Sequence, residues 1–225
     1  MHTTKRILKP VLNRIVPPLV KRYLKKERTY TYRGIKIKVP PGIFHPGLFF
    51  STTVMLRFLE TLEMKNKTFL EVGSGTGLVS IYAALKKNAV VTAVDINKKA
   101  VDTTIENAGL NHAAIDVHHS DMFAGIQPFP FDIVVTCPPF FPKDPQNDEE
   151  RAWYCGKNHD FFYMLFKDFN KFSHRGTVLY MVLSDESPVR EITEIAENNG
   201  LSAARAFERS NLWESNFILK LVLAA

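Results

Sequence analysis

The chain has 225 residues, 45% of them apolar and 12% aromatic, a composition that suits a folded domain of about 180–200 residues plus an appendage and excludes a disordered polypeptide. Two cysteines cannot build a disulfide framework, and neither they nor the seven histidines show metal-ligand spacing; no metal is expected, and a reducing compartment is the default. The net charge of +6 is uneven, since residues 1–40 hold twelve Lys/Arg and one acid (net +11), while the remainder is net −5.

No apolar run approaches the ~18 residues of a membrane span. Lys9, Pro10, Asn13 and Arg14 interrupt any signal-peptide core, so a cytoplasmic protein is expected. Apolar pairs recur every four residues from Ile7-Leu8 to Tyr23-Leu24. That spacing predicts short amphipathic helical pieces, broken at Pro10 and Pro17-Pro18. The stripe either packs on the body as a cap or presents its cations to a polyanion. Oligomeric state is not legible.

Residues 29–39 alternate around Arg33-Gly34 and predict a β-hairpin; with the arm they form a unit of residues 1–40, ahead of a domain over 41–225. Pro40-Pro41-Gly42 makes a turn, and residues 53–62 carry helical spacing. Phe69-Leu70-Glu71-Val72 is a short apolar strand running into Gly73, Gly75 and Gly77, with a helix expected over 79–86. Glycine allows positive φ and close backbone approach to a ligand, and the helix behind it aims N–H groups at an anion.

A second strand, 90–95, ends in Asp95, eighteen residues after Gly77, where doubly wound folds place a carboxylate on ribose hydroxyls. Asn97 caps a helix to about residue 107, with Gly109 as its stop. Strands follow over 115–121, ending in Asp121, and over 131–136, closed by Cys137-Pro138-Pro139-Phe140. A long loop, 141–159, reads as a lid or a binding element. A helix over 160–171, a strand over 177–183, a helix over 188–199 stopped by Gly200, and strands over 201–207 and 217–223 complete the chain. The fold class is α/β: a doubly wound, seven-stranded, mostly parallel sheet with one antiparallel insertion near its edge.

The glycines are spaced G-x-G-x-G, not G-x-G-x-x-G as in nicotinamide binding. With Val94-Asp95-Ile96-Asn97, Glu106-Asn107-Ala108, Ser120-Asp121-Met122-Phe123 and the Pro138-Pro139-Phe140 turn, residues 42–185 resemble class I methyltransferases that use S-adenosylmethionine (SAM). The branch is the one with an [Asn/Asp]-Pro-Pro-aromatic motif, which includes release-factor glutamine methyltransferases and several RNA base methyltransferases. The resemblance implies SAM as cofactor, with Glu71, Gly73, Gly75 and Gly77 at its methionine end. Asp95, next to Ile96, would accept from the ribose hydroxyls, and Asp121, with Met122 beside the ring, from the adenine amino group.

It also implies methyl transfer to a planar nitrogen of a protein side chain or an RNA base, oriented by the Cys137-Pro138-Pro139-Phe140 turn. Cys137 departs from the pattern, because a thiol accepts hydrogen bonds poorly. Only the Cys137 and Pro138 carbonyls and stacking by Phe140 remain for the acceptor. Cys137 itself is a small half-buried hydrophobe or, less simply, a nucleophile. His159 and Asp160 either take up a substrate proton or cap the following helix. The alternative function is a SAM-binding module without turnover, whose basic arm makes the functional contact.

Overall fold

The computed structural model describes residues 22–211 and 214–224, so the arm expected at the N-terminus lies, up to residue 21, outside the described residues. The first strands among the described residues form a two-stranded hairpin, β1 (Arg28–Tyr32) and β2 (Ile35–Val39). Both of its turn residues, Arg33 and Gly34, have positive φ (48° and 84°). That is the two-residue connection whose twist matches its strands.

After α1 (Phe50–Leu59) come β3 (Thr68–Val72), α2 (Leu78–Lys87), β4 (Val90–Asp95), α3 (Lys98–Leu110), β5 (Ile115–His119) and β6 (Phe131–Thr136). Then follow α4 (Asp160–Phe169), β7 (Ser173–Ser184), α5 (Val189–Asn198), β8 (Leu201–Ser210) and β9 (Ser215–Leu223). The sheet order is β5-β4-β3-β6-β7-β9-β8. All neighbours are parallel up to β7, and β9 runs antiparallel between β7 and β8. Strand order reverses about β3, which puts the crevice for a ligand beyond the carboxyl ends of β3, β4 and β6.

β3 and β6 read as nearly unbroken apolar runs because helices cover both faces of the sheet. On one face Val54, Met55, Leu59 and Ile81 pack with Ile35, Ile37 and Val39 of the hairpin. On the other, Phe162, Phe166, Phe169 and Ile192 pack on Leu179 and Phe217. The hairpin therefore shares the main core. Among the described residues, no helix is long and apolar enough to cross a membrane.

Two asparagines, one on α3 and one capping its C-terminal end, hold the hairpin by imitating a strand. Asn107 accepts from the Lys38 N–H (2.8 Å) and donates to the Lys38 carbonyl (2.9 Å). Asn111 does the same for Lys36 (3.1 and 2.7 Å). Four residues of helix rise ~6 Å and two of strand ~6.7 Å, so the two side chains stay in step with alternate residues of β2. Asn107 also donates to the Thr76 carbonyl (2.9 Å), which ties the hairpin to the glycine-rich turn.

Some boundaries differ from the sequence expectation. Gly109 does not stop α3; the helix runs to Leu110, and His112 takes the positive φ (54°). β5 ends at His119, so Asp121 sits in the turn beyond it. Asn97 does cap α3, accepting from the Lys99 N–H at 2.9 Å. Gly200, with φ 75°, follows α5.

Asn107 is fully buried. Its replacement, Asn107→Ala, strands three backbone groups and is expected to cost about 2–4 kcal/mol; Asn111→Ala, half exposed, should cost about 1 kcal/mol or less. Urea denaturation of the two variants measures the difference.

Candidate active site

The glycine-rich turn leaves β3 with three left-handed residues, Gly73 (φ 83°), Gly75 (56°) and Gly77 (76°). The N–H groups of Gly73 and Ser74 donate to the Val94 carbonyl (2.9 and 3.1 Å). A Cβ on Gly73 or Gly75 would meet nothing within 4 Å, and both line a cavity of about 830 Å³; their backbone is bare surface on which a ligand can lie. Gly77 does not line that cavity. A Cβ there would run into Thr104 at 2.8 Å, so its glycine serves the packing of the turn on α3.

Asp95, at the tip of β4, braces the same turn. Its carboxylate accepts from the Gly75 N–H (2.9 Å) and the Asn97 N–H (2.8 Å). Burial pushes its carboxyl up, and those two bonds pull it down. A carboxylate offers about four acceptor sites, so capacity remains toward the cavity. Glu71 points inward from β3 and accepts from both the N–H and the hydroxyl of Ser80 in the first turn of α2. The helix N-terminus is thus met by the protein's own carboxylate, where sequence reasoning expected it to be free for an anion. Burial drives the Glu71 carboxyl up to about 8, opposed by the Ser80 bonds and reinforced by the charge of Asp95.

Ile96, Asp121 and Met122 line the same cavity. A tight turn presents the last two: the Ser120 hydroxyl donates to the Met122 carbonyl (2.7 Å) and accepts from the Gly125 N–H (2.7 Å), while Met122 takes φ 48°. Across the floor stand Cys137, Pro138, Pro139 and Phe140, carried there by β6. Burial, and then the charge of Glu71, holds the Cys137 thiol far above its ordinary range, which leaves it uncharged and without thiolate character.

The loop after β6 covers the cavity. Phe141 bridges Tyr154, and Trp153 packs on Phe44 (5.4 Å between ring centroids) and Phe49 (4.9 Å). The lid therefore closes against the segment ahead of α1. Asp160 lines the cavity and presses on Gly156, where a Cβ would lie 2.1 Å from its carboxylate. His159 does not line it; its Nε2 is buried without a partner and its side chain makes no capping bond.

Sequence reasoning missed the far wall, built from Val182, Ser184, Asp185 and Glu186 at the end of β7 and from Glu214 and Asn216 at the β8–β9 turn. No motif marks these residues; antiparallel insertion of β9 brings them in. Among the described residues lining the cavity are nine carboxylates and a single guanidinium, Arg151, which faces Asp148 at 3.5 Å. Such a site attracts cations and repels polyanions.

Residues 34–153 match the methyltransferase small-domain family. A Methanocaldococcus jannaschii protein, provisionally named a protein N5-glutamine methyltransferase, is 38% identical over 109 residues, 48% of this chain and 53% of that one. The human methyltransferase HEMK2 is 33% identical over 164 residues, 67% of this chain and 75% of that one. The chain thus spans about half the length of the first relative and three quarters of the second. A crystal structure of a methyltransferase from Pyrococcus furiosus superposes with a TM-score of 0.64 at 18% identity, over 93% of this chain and 98% of that one, so the two share a fold.

The Glu71 carboxyl stays protonated in the native state up to about 8, whereas in the unfolded chain it ionises near 4.5. The native state holds the extra proton across that window, so stability falls as pH rises through it. Glu71→Gln removes the slope. Its Tm should sit close to wild type at about pH 5 and exceed it by several degrees at about pH 9 in thermal scans.

Proposed function

The chain belongs to the methyltransferase small-domain family, and on that premise we propose that it transfers a methyl group from S-adenosylmethionine to a planar nitrogen of a protein side chain. The observation that carries this reading is the cavity's charge. Bare glycine backbone at Gly73 and Gly75 meets the Asp95 carboxylate at the tip of β4, and further acids line the cavity around it, a setting suited to a sulfonium cation and hostile to a pyrophosphate.

Glu71, Gly73 and Gly75 hold the methionine end, with Gly77 supporting the turn from behind. Asp95 accepts from the ribose hydroxyls. Ile96 and Met122 flank the adenine, and Asp121 accepts from its amino group. The bound donor supplies a methyl group on positively charged sulfur, already activated for attack. The chain's remaining task is orientation: the Cys137 and Pro138 carbonyls accept from the target N–H groups, Pro139 fixes the turn, and Phe140 stacks on the planar group. The lid residues, with Trp153 against Phe44 and Phe49, exclude water from the reacting atoms.

The eight acids that line the cavity besides the protonated Glu71 favour a protein acceptor over an RNA base, and the relative named for N5-glutamine methylation supports a side-chain carboxamide. Relatives named as methyltransferases favour turnover over donor binding alone. Contact with a polyanion through residues 1–40 rests on their net +11.

Incubation of the chain with radiolabelled SAM and fractionated cell extract tests the reading. Label lost on protease treatment is expected; label lost on ribonuclease treatment would instead mark an RNA acceptor. Asp95→Ala should weaken SAM binding by about 1–3 kcal/mol in calorimetry, since it leaves ribose hydroxyls unpaired; an unchanged Kd would count against the ribose assignment. Cys137→Asn should keep or raise transfer if the target is an –NH2 group, and total loss would point to different acceptor chemistry.

A further inference from the structure

One polar side chain on the far wall has no structural work to do. Asn216 lies on β9, paired with Ser184 of β7 and Arg209 of β8. It is only 2% exposed, lines the cavity, and its amide nitrogen has no hydrogen-bond partner. A buried amide left unpaired is costly, and the next two residues along the strand, Phe217 and Ile218, are apolar and fully buried. An apolar residue would satisfy the fold better at this position.

Sheet register places Asn216 relative to Cys137. Thr136 pairs with Met181, Val182 with Ile218, and Ser184 with Asn216. Val182 and Ile218 belong to the core beneath α1 and α2, and Cys137 packs against that same core. Because side chains alternate along a strand, Asn216 shares this face with Cys137. The two residues stand two strands apart and two residues out of step along them, ~12 Å in all, and both line one cavity.

We propose that Asn216 is a specificity-determining residue that grips the carboxamide of a glutamine- or asparagine-type side chain in the protein acceptor, providing the hydrogen bonding that the Cys137 thiol cannot. The inference rests on the methyltransferase reading above. A carboxamide offers a donor and an acceptor in one plane, and its complement is a group that offers both. A lysine ammonium has no acceptor, and the phosphodiester of a nucleic acid backbone has no donor. The surrounding carboxylates turn away a nucleic acid backbone and leave a protein amide as the matching partner.

Asn216→Leu removes the polar atoms at similar volume. The variant is expected to bind SAM within twofold of wild type by calorimetry, to keep or raise Tm, and to lower methyl transfer to the protein fraction by roughly tenfold or more through KM for the acceptor. Restoring a carboxamide at the other station, Cys137→Asn in the Asn216→Leu background, should recover part of that transfer. Unchanged transfer in Asn216→Leu overturns the proposal. So does a drop in Tm accompanied by weaker SAM binding, which would make Asn216 part of the frame. Label residing in RNA overturns the carboxamide assignment. If wild type binds SAM but moves no label, the proposed function fails on its own, and Tm then decides here: a rise in Asn216→Leu marks an amide kept for a ligand, and a fall marks a structural one.

Discussion

Two carboxylates at neighbouring strand tips hold one flexible turn, and the geometry of the cavity follows from that. Asp95 accepts from the N–H of Gly75, in the turn's middle, and Glu71 accepts from Ser80 at the start of the helix behind it. Gly73 and Gly75 can then keep positive φ with no side chain intruding. Among the described residues neither acid forms an ion pair with a lysine or arginine, and His119 is the nearby group that lowers Asp95. Burial disfavours the charged form of each, and a bound cation would relieve both.

The hairpin at the start of the described chain belongs to this arrangement mechanically. Asn107 spends its carboxamide on Lys38 and on the Thr76 carbonyl, so the outer edge of β2 and the glycine-rich turn hang from one side chain. Lys38 also forms an ion pair with Glu106.

Charge and aromatic contact divide the cavity's rim between them. Closure of the lid rests on ring packing, Trp153 upon Phe44 and Phe49, while the acids on the lid and far wall set the field inside. The Lys143–Glu150 and Arg151–Asp148 pairs are partly exposed and contribute little to stability. With nine acids and a single guanidinium among the described lining residues, the net field stays negative.

Much of the fold was legible in the residues themselves. Unbroken apolar strands, helical spacing and glycine or asparagine stops are local signals, and local signals survive without knowledge of neighbours. Asp95 and the glycines could be found because their spacing is fixed by one strand-turn-helix unit. The resemblance places Gly77 at the methionine end with Gly73 and Gly75, but Gly77 does not line the cavity and a Cβ there would meet Thr104 at 2.8 Å; a motif cannot tell a glycine facing a ligand from one facing a helix. The charge state of Glu71 and its bond to α2 depend on burial, which only the assembled sheet creates. Asn216, Ser184 and Glu214 were invisible because β9 inserts antiparallel between β7 and β8, and a pairing between distant strands leaves no mark on the short-range pattern of either.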